Sequence, residues 1–401
     1  MTKCSVGLTR RVVTQLARVN LLSFLAQVVQ IGTMPPLIAL RLEAMSVSPL
    51  TVGIVAAAPW IAILAVGRFV PSLLASCGVV KSNAIAFVLS LCAVVGMSVT
   101  DNVSIILLFN LIFGLGLIIR WIACDTWIVA IAPLELRGRA IGTHETIMGC
   151  GIAVGPLVIG LSSAIGVVPW MICAGLLVLG VSGLLFLGAA DVFPEKRDGF
   201  ASRSILVTLP LAIMAGWLAG FAETASISFL PVMAEANSFA LGSTAVLAGF
   251  GIGGTLLQVP IGWFADQFGY RRTQLLMAII VFANAIIFLL LTQHVYGLWL
   301  TLFFWGGAIG GMNTLAVIEA GRRASVADAS AVMMAVALAY TIGSIVGPVA
   351  TGAATWQFPT YGLNVAIMVA AGFYLLLWVL SERKTHALVV VSGVSSSEVK
   401  N

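Results

Sequence analysis

Long apolar segments recur along nearly the whole chain, and this feature constrains the fold more than any other. Charged types make up only 9% of the 401 residues, whereas soluble domains carry roughly 25%, so a solvated surface cannot cover a globule of this size. This excludes a soluble enzyme, a nucleic-acid-binding domain and a disordered scaffold. We predict an all-α membrane protein with twelve transmembrane helices of about 20 residues. The predicted spans are residues 14–40, 50–74, 83–100, 103–131, 140–164, 168–189, 205–233, 242–264, 274–292, 297–320, 330–354 and 361–380.

The basic residues predict the orientation of these spans. If the N-terminus is cytoplasmic, all but three of the 20 Lys and Arg residues lie at cytoplasmic ends or in cytoplasmic loops, as the positive-inside rule requires. Arg41 lies in an opposite-side loop, and Arg68 and Arg120 lie within spans. We therefore expect a multi-pass plasma-membrane protein, in a bacterial inner membrane, with both termini in the cytoplasm.

The chain consists of two halves with a repeated pattern. Gly151, Gly155 and Pro156 recur 192 positions later as Gly343, Gly347 and Pro348, and two further landmarks recur at nearly the same offset. A polar segment lies between the halves, and we interpret it as a cytoplasmic linker. The predicted units are a six-helix half over 1–189, the linker 190–204, a second six-helix half over 205–380 and a cytoplasmic tail over 381–401.

The loop after the eighth span carries a G-x-x-x-D-x-x-G-x-R-R motif. With this motif, the chain resembles the major facilitator superfamily, and the stretches VPIGWFADQFG and AYTIGSIVGP most resemble its YcaD-type bacterial members. The resemblance implies two pseudo-symmetric six-helix halves, a substrate site between them and transport by alternating access. It places gating motifs at Asp266, Gly269, Arg271, Arg272, Gly151, Gly155, Pro156, Gly343, Gly347 and Pro348.

The chain departs from the superfamily pattern at three positions. Ala75 stands where the copy of the loop after span two carries an acid, which weakens the case for gating by that loop. Asn110 stands near the position of the arginine in span four, and Ile159 replaces one glycine of the antiporter signature in span five.

Each gating motif has a physical interpretation. The glycines allow close approach of helix backbones, and the prolines permit a bend. Spans five and eleven could then pivot against spans of the opposite half; the alternative is ordinary close packing. Asp266 lies beside a group of arginines and forms either a cytoplasmic latch or a solvated turn charge. The arginines within reach are Arg271, Arg272, Arg322 and Arg323.

Charged residues inside spans are rare and costly, at roughly 2.5–3.5 kcal/mol even by lower estimates. Glu223 lies deepest, near the middle of span seven, without a basic residue within a helical turn. We interpret it as a proton carrier, with a buried acid bonded to neighbouring helices as the alternative. Asp125 is a second proton-coupling candidate, with a structural role as the alternative and with Arg68 as one possible partner. Glu145 and Glu319 are expected to be structural, the latter paired with arginines at its helix end.

Span one carries the best candidate for a cavity-lining face. Asn20, Ser23, Gln27 and Gln30 follow spacings of three, four and three, which places them on one helical stripe. Such a stripe lines a wet pathway or contacts other helices, since facing lipid is costly. Arg120 and Trp217 are further cavity-lining candidates.

We predict a secondary active transporter that exports a small organic compound or drug in exchange for protons. No Walker loop G-x-x-x-x-G-K-[ST] is present to support ATP drive. Proton-coupled symport of a small organic anion is the alternative, and a membrane sensor ranks third. H-E-x-x-H and G-x-S-x-G are also absent, so an enzyme is not expected.

The expected partners are the lipid bilayer, a small-molecule substrate and protons, with no nucleic acid and no cofactor. The six cysteines form no CxxC pair, and the three histidines are scattered, so we expect no metal site and no disulfide framework. A monomer is expected.

Overall fold

The computed structural model describes residues 10–133, 136–161, 166–186, 192–193, 209–323 and 329–392, which form helices and no strand. The first six helices are α1 (Arg10–Gln27, Val28–Thr33 and Met34–Ala44), α2 (Pro49–Val66, Gly67–Phe69 and Val70–Cys77), α3 (Val79–Ser98), α4 (Val103–Ile131), α5 (Arg137–Gly160) and α6 (Val168–Phe186). The others are α7 (Pro210–Ala236), α8 (Ser243–Leu256 and Gln258–Phe268), α9 (Tyr270–Leu290), α10 (Val295–Arg323), α11 (Ala329–Gln357) and α12 (Gly362–Ser392).

The prediction of an all-α membrane protein is confirmed. Each of the twelve predicted spans overlaps one helix. Within the described ranges, nine helices are long and apolar enough to cross a bilayer, or ten when the two parts of α8 count as one span. The predicted linker 190–204 lies almost entirely outside the described residues, and α12 continues to Ser392, into the segment predicted as the tail.

Three of the helices change geometry in mid-course, and a proline explains each change. The Val28–Thr33 part of α1 is a π-helical turn, and Pro35 and Pro36 follow it without the N–H groups that would extend the α-helical ladder. Pro71 follows the 3₁₀ turn of α2 in the same way. In α8, Pro260 cannot bond to the carbonyl of Leu256, where the helix bends by 42°.

Two glycines make the sharp turns that join α2 to α3 and α8 to α9. Gly78 has φ 79° and Gly269 has φ 87°, a left-handed conformation that glycine adopts without steric cost. A single residue therefore reverses the chain at each turn. We call this end of the molecule the Gly78 side and the opposite end, where α2 begins, the Pro49 side.

The glycine pattern that repeats in the sequence makes the same packing in both halves. A Cβ placed on Gly155 of α5 would lie 2.3 Å from the backbone of Gly32 on α1. A Cβ placed on Gly347 of α11 would lie 2.2 Å from the backbone of Phe221 on α7. The backbones of α1 and α5, and of α7 and α11, thus touch directly, as small-residue packing in membranes allows.

The two halves meet closely on the Pro49 side. In the α2–α11 contact, the Cβ position of Gly53 is 2.2 Å from the carbonyl of Pro348. In the α5–α8 contact, that of Gly160 is 3.0 Å from Thr244. Nearer the Gly78 side, the Cβ positions of Gly142 and Gly262 in the same two helices have no neighbour within 4 Å. The seam between the halves is therefore closed on the Pro49 side and open towards the Gly78 side.

Candidate functional site

The polar stripe of α1 meets Arg120 of α4 inside the first half. Arg120 Nε donates to Gln30 Oε1 at 2.9 Å, and its Nη2 donates to Gln27 Oε1 at 2.8 Å. Gln30 Nε2 in turn donates to Ser90 Oγ on α3 at 2.9 Å. Arg120 is fully buried, and so is Ser23 of the same stripe. The stripe therefore contacts other helices and positions a buried cation.

The charge of Arg120 has no anion in direct contact within the described residues. Its third contact is Met148 Sδ, 3.7 Å from Nη1. The carboxylates of Asp125 and Glu145 act on it only as neighbouring charges. A buried guanidinium with neutral partners keeps its attraction for an anion, because carboxamide oxygens satisfy its hydrogen bonds without neutralising it.

Asp125 joins a different set of residues from the one predicted. Its carboxylate lies 3.5 Å from Nε2 of His144, which is buried and pairs through Nδ1 with Asn20 Oδ1 at 2.9 Å. Arg68, the expected partner of Asp125, is exposed instead and lies over the ring of Phe69. The expected Arg68–Asp125 pair is wrong because the 3₁₀ turn of α2 directs Arg68 outward.

Glu223 lies near the middle of α7 and is half-buried. Tyr340 Oη of α11 donates to its carboxylate at 2.9 Å. Among the described residues, no basic side chain forms an ion pair with Glu223. On the same helix, Trp217 packs against Phe221, with ring centroids 5.2 Å apart. The described hydrogen-bond partner of the acid is therefore a neutral aromatic residue, Tyr340.

Pro348 fixes how α7 and α11 fit together next to Glu223. A proline at this position leaves the carbonyl of Ser344 without its helical donor. Thr224 Oγ1 of α7 donates to the carbonyl of Gly220 on its own helix at 2.5 Å and shares this proton with the carbonyl of Ser344 at 3.3 Å. The residue next to Glu223 thus gives the backbone group that the proline frees a weak second donor.

The loop motif makes two separate sets of contacts on the Gly78 side. Asp266 pairs with Arg322 of α10 at 2.7 Å, and both side chains are largely exposed. Arg271 of α9 reaches Glu382 of α12 at 3.2 Å instead. Gly269 makes the turn between them, and Arg272 is exposed.

Glu319 is buried, and the expectation that it pairs with arginines at its own helix end stays a prediction. It accepts a hydrogen bond from Gln274 of α9 at 3.0 Å, and its carboxylate lies 3.9 Å from Nε of Arg271. The arginines near it on α10 include Arg322, which is engaged by Asp266. The side chain of Arg323 lies outside the described residues.

Two residues at these sites were not predicted from the sequence to take part in them. In the sequence, His144 stands out only as the neighbour of Glu145, and Tyr340 stands among apolar residues. The sequence suggests Trp60 only as a candidate for the aromatic wall of a cavity. Trp60 of α2 contacts Tyr340 of α11 edge to face, with ring centroids 5.8 Å apart. A search for aromatic residues at the depth of Glu223 on the partner helices would have found this pair.

Comparison with known proteins finds similarity to one family of transporters. The model of the Major Facilitator Superfamily matches residues 212–393. The uncharacterized MFS-type transporter YfkF of Bacillus subtilis is 24% identical over 344 residues, which cover 82% of this chain and 85% of the relative. YcaD of Salmonella arizonae is 24% identical over 372 residues, which cover 91% of this chain and 95% of the relative.

The fold agrees with this assignment. The crystal structure of the nucleoside transporter NupG matches with a TM-score of 0.74 at 15% identity, over 91% of this chain and 98% of that one. The family model covers most of the second half, and the relatives extend the match over most of the first. The chain is therefore similar to Major Facilitator Superfamily transporters over most of its length.

Proposed function

We propose that this transporter exports a small organic compound in exchange for protons and that Glu223 carries the coupled proton. The observation that supports this most is the position of Glu223, deep in α7 with a neutral tyrosine as its hydrogen-bond donor. An ionised carboxylate there is costly, and among the residues that the structure describes no cation pairs with it to offset the cost. Taking up a proton removes this cost, which is the property that a proton carrier needs.

We infer that the Gly78 side faces the cytoplasm. The described basic residues Lys81, Arg137, Arg139, Arg271 and Arg272 all lie at this end, as the positive-inside rule favours. The seam that opens towards Gly142 and Gly262 then gives an inward-facing state. Transport requires the halves to rock about their contacts so that the Pro49 side opens.

The site has features for a proton-coupled cycle in both halves. Glu223 is the first candidate carrier, and Asp125, which is partly exposed and next to His144, is the second. Asn20, Gln27 and Gln30 supply carboxamides inside the first half, where they bond to His144 and Arg120, and Trp217 supplies an aromatic ring in the second half. Such a mixture of few polar groups and apolar walls is typical of small-molecule sites.

The second candidate function is import of a small organic anion together with protons. It is favoured by Arg120, whose described hydrogen-bond partners are all neutral. In this cycle the anionic substrate provides Arg120 with the negative charge that its neutral partners Gln27 and Gln30 lack.

The direction of proton movement separates the two functions. Proteoliposomes loaded with the pH dye pyranine, with the membrane potential clamped by valinomycin and potassium, receive a compound on the outside at equal pH. The panel holds benzyltrimethylammonium, benzenesulfonate and uridine, which are permanently cationic, permanently anionic and neutral. Exchange for protons makes the interior more alkaline, and symport makes it more acidic. Protein-dependent acidification with benzenesulfonate would replace the first proposal by the second.

A further inference from the structure

Tyr340 contacts both the buried acid of its own half and an aromatic residue of the other half. Its hydroxyl donates to Glu223 of α7 at 2.9 Å. Its ring lies against Trp60 of α2 at an interplanar angle of 68°. Trp60 is buried, so the contact belongs to the packed part of the seam and not to its open end.

The backbone around Tyr340 is held tightly, so only its side chain can respond to Glu223. A Cβ on Gly220 of α7 would lie 2.1 Å from the carbonyl of Tyr340, and a Cβ on Gly343 would lie 2.1 Å from the carbonyl of Trp217. These approaches fix α11 against α7 on both sides of the residue. The orientation of the Tyr340 ring against Trp60 is then decided by what its hydroxyl bonds to.

We propose that Tyr340 is a positioning residue that transmits the protonation state of Glu223 to the contact between the halves at Trp60. This inference rests on the proposed role of Glu223 as the proton carrier. A hydrogen bond to an ionised carboxylate is roughly twice as strong as one to a neutral acceptor. The ionised acid therefore holds the ring against Trp60 and keeps the Pro49 side closed. Protonation weakens this hold and lets that side open.

The arrangement has a consequence for coupling. An empty carrier with ionised Glu223 stays closed on the Pro49 side, and it changes state only after it gains a proton or a substrate. This prevents the free carrier from cycling without transport. In this role Tyr340 acts through its contacts with Glu223 and Trp60.

Other ionisable groups on the helices around α7 lie away from Glu223. The one that faces it is Tyr340 itself, since the described part of α11 carries no charged residue. The charged groups stand near helix ends or at the turn of α2: Arg10, Arg11, Arg18, Arg41 and Glu43 on α1, Arg68 on α2, Asp266 on α8, Glu319, Arg322 and Arg323 on α10, and Glu382, Arg383, Lys384 and His386 on α12. Tyr374 of α12 contacts Gln274 of α9 instead. A pH response that depends on Tyr340 therefore reports on Glu223.

The test measures closure of the Pro49 side directly, without a substrate. Nitroxide labels on Val99→Cys and Tyr296→Cys report the distance between the halves there, because these residues are 80% and 91% exposed. The full chain, with its native cysteines replaced, is studied in nanodiscs by pulsed EPR. When the pH falls, we expect the long-distance population to rise by about threefold or more.

Substitutions then separate the hydroxyl contact from general effects. Tyr340→Phe should remove the pH response, and Trp60→Leu should remove it as well. Tyr374→Phe is the matched control, because Tyr374 is a buried tyrosine whose hydroxyl contacts Gln274 instead. It should respond as the unmodified chain does.

A normal pH response in Tyr340→Phe, or none in the unmodified chain, overturns the inference. If Glu223→Gln loses the response while Tyr340→Phe keeps it, Glu223 still senses protons but Tyr340 does not transmit them. If Glu223→Gln retains proton-driven transport, the proposed function fails instead. The EPR and transport measurements thus distinguish the two failures.

Discussion

Gln30 and Glu223 each accept a hydrogen bond from a long side chain of their own half of the molecule. Gln30 accepts from Arg120 and Glu223 accepts from Tyr340. The first half thus pairs a neutral acceptor with a cation, and the second half pairs an acid with a neutral donor. Of these two acceptors, only Glu223 can take up a proton.

Replacing Arg120 with lysine should lower stability even though the charge is kept. Lysine cannot occupy Gln27 and Gln30 with the fixed fork of a guanidinium, and an unsatisfied buried polar group costs about 1–3 kcal/mol. A clear fall in the thermal unfolding midpoint of the purified protein is expected. Arg68→Lys, at an exposed site, is the control and should change the midpoint little. Equal midpoints for the two variants would contradict the described Arg120 contacts.

A methyl group on Gly53 should open the Pro49 side. The Cβ of Gly53→Ala would lie 2.2 Å from the carbonyl of Pro348 on the other half, so α2 and α11 must separate. Overpacking of this kind costs about 1–3 kcal/mol. The variant destabilises the closed state alone, because this state brings Gly53 against Pro348. The distance between labels at Val99 and Tyr296 should lengthen. Gly142→Ala, with open space around it, should leave the distance unchanged, and a shift of the same size in both variants would count against the closed seam.

The two acids near the Gly78 side should differ in their effect on stability. Asp266 and Arg322 form an exposed pair, so Asp266→Asn should cost only about 0–1 kcal/mol. Glu319 is buried against Gln274, so Glu319→Leu should cost about 1–3 kcal/mol by leaving that amide unsatisfied. Thermal unfolding in the same detergent compares them. A larger loss for Asp266→Asn would show that the exposed pair, not the buried acid, holds this end together.

The sequence predicts the fold well because the bilayer imposes simple rules on it. Span length, the positive-inside bias and the repeated glycines each depend on local sequence, and every predicted span overlaps a helix. Local sequence also predicts the polar stripe of α1, because helical periodicity alone places its residues on one face: Asn20, Ser23, Gln27 and Gln30.

Contacts between helices were harder to predict, because they depend on how each helix is rotated about its axis. Arg68 was expected near Asp125, but the 3₁₀ turn of α2 changes its direction. His144 and Glu145 are adjacent, yet about 100° of helical rotation buries the first and exposes the second. The Tyr340–Glu223 and Tyr340–Trp60 contacts join residues more than a hundred positions apart, and no local pattern reveals them.

The most direct test of the account is proton-driven transport by Glu223→Gln. Reconstituted protein receives an imposed pH gradient, and uptake is followed for a compound from the panel that the unmodified chain transports. The account predicts that Glu223→Gln loses gradient-driven accumulation while it remains folded. Glu235→Gln, the matched control at the end of the same helix with a bond to Ser243, should keep it. Accumulation by Glu223→Gln at the rate of the unmodified chain would contradict the central claim.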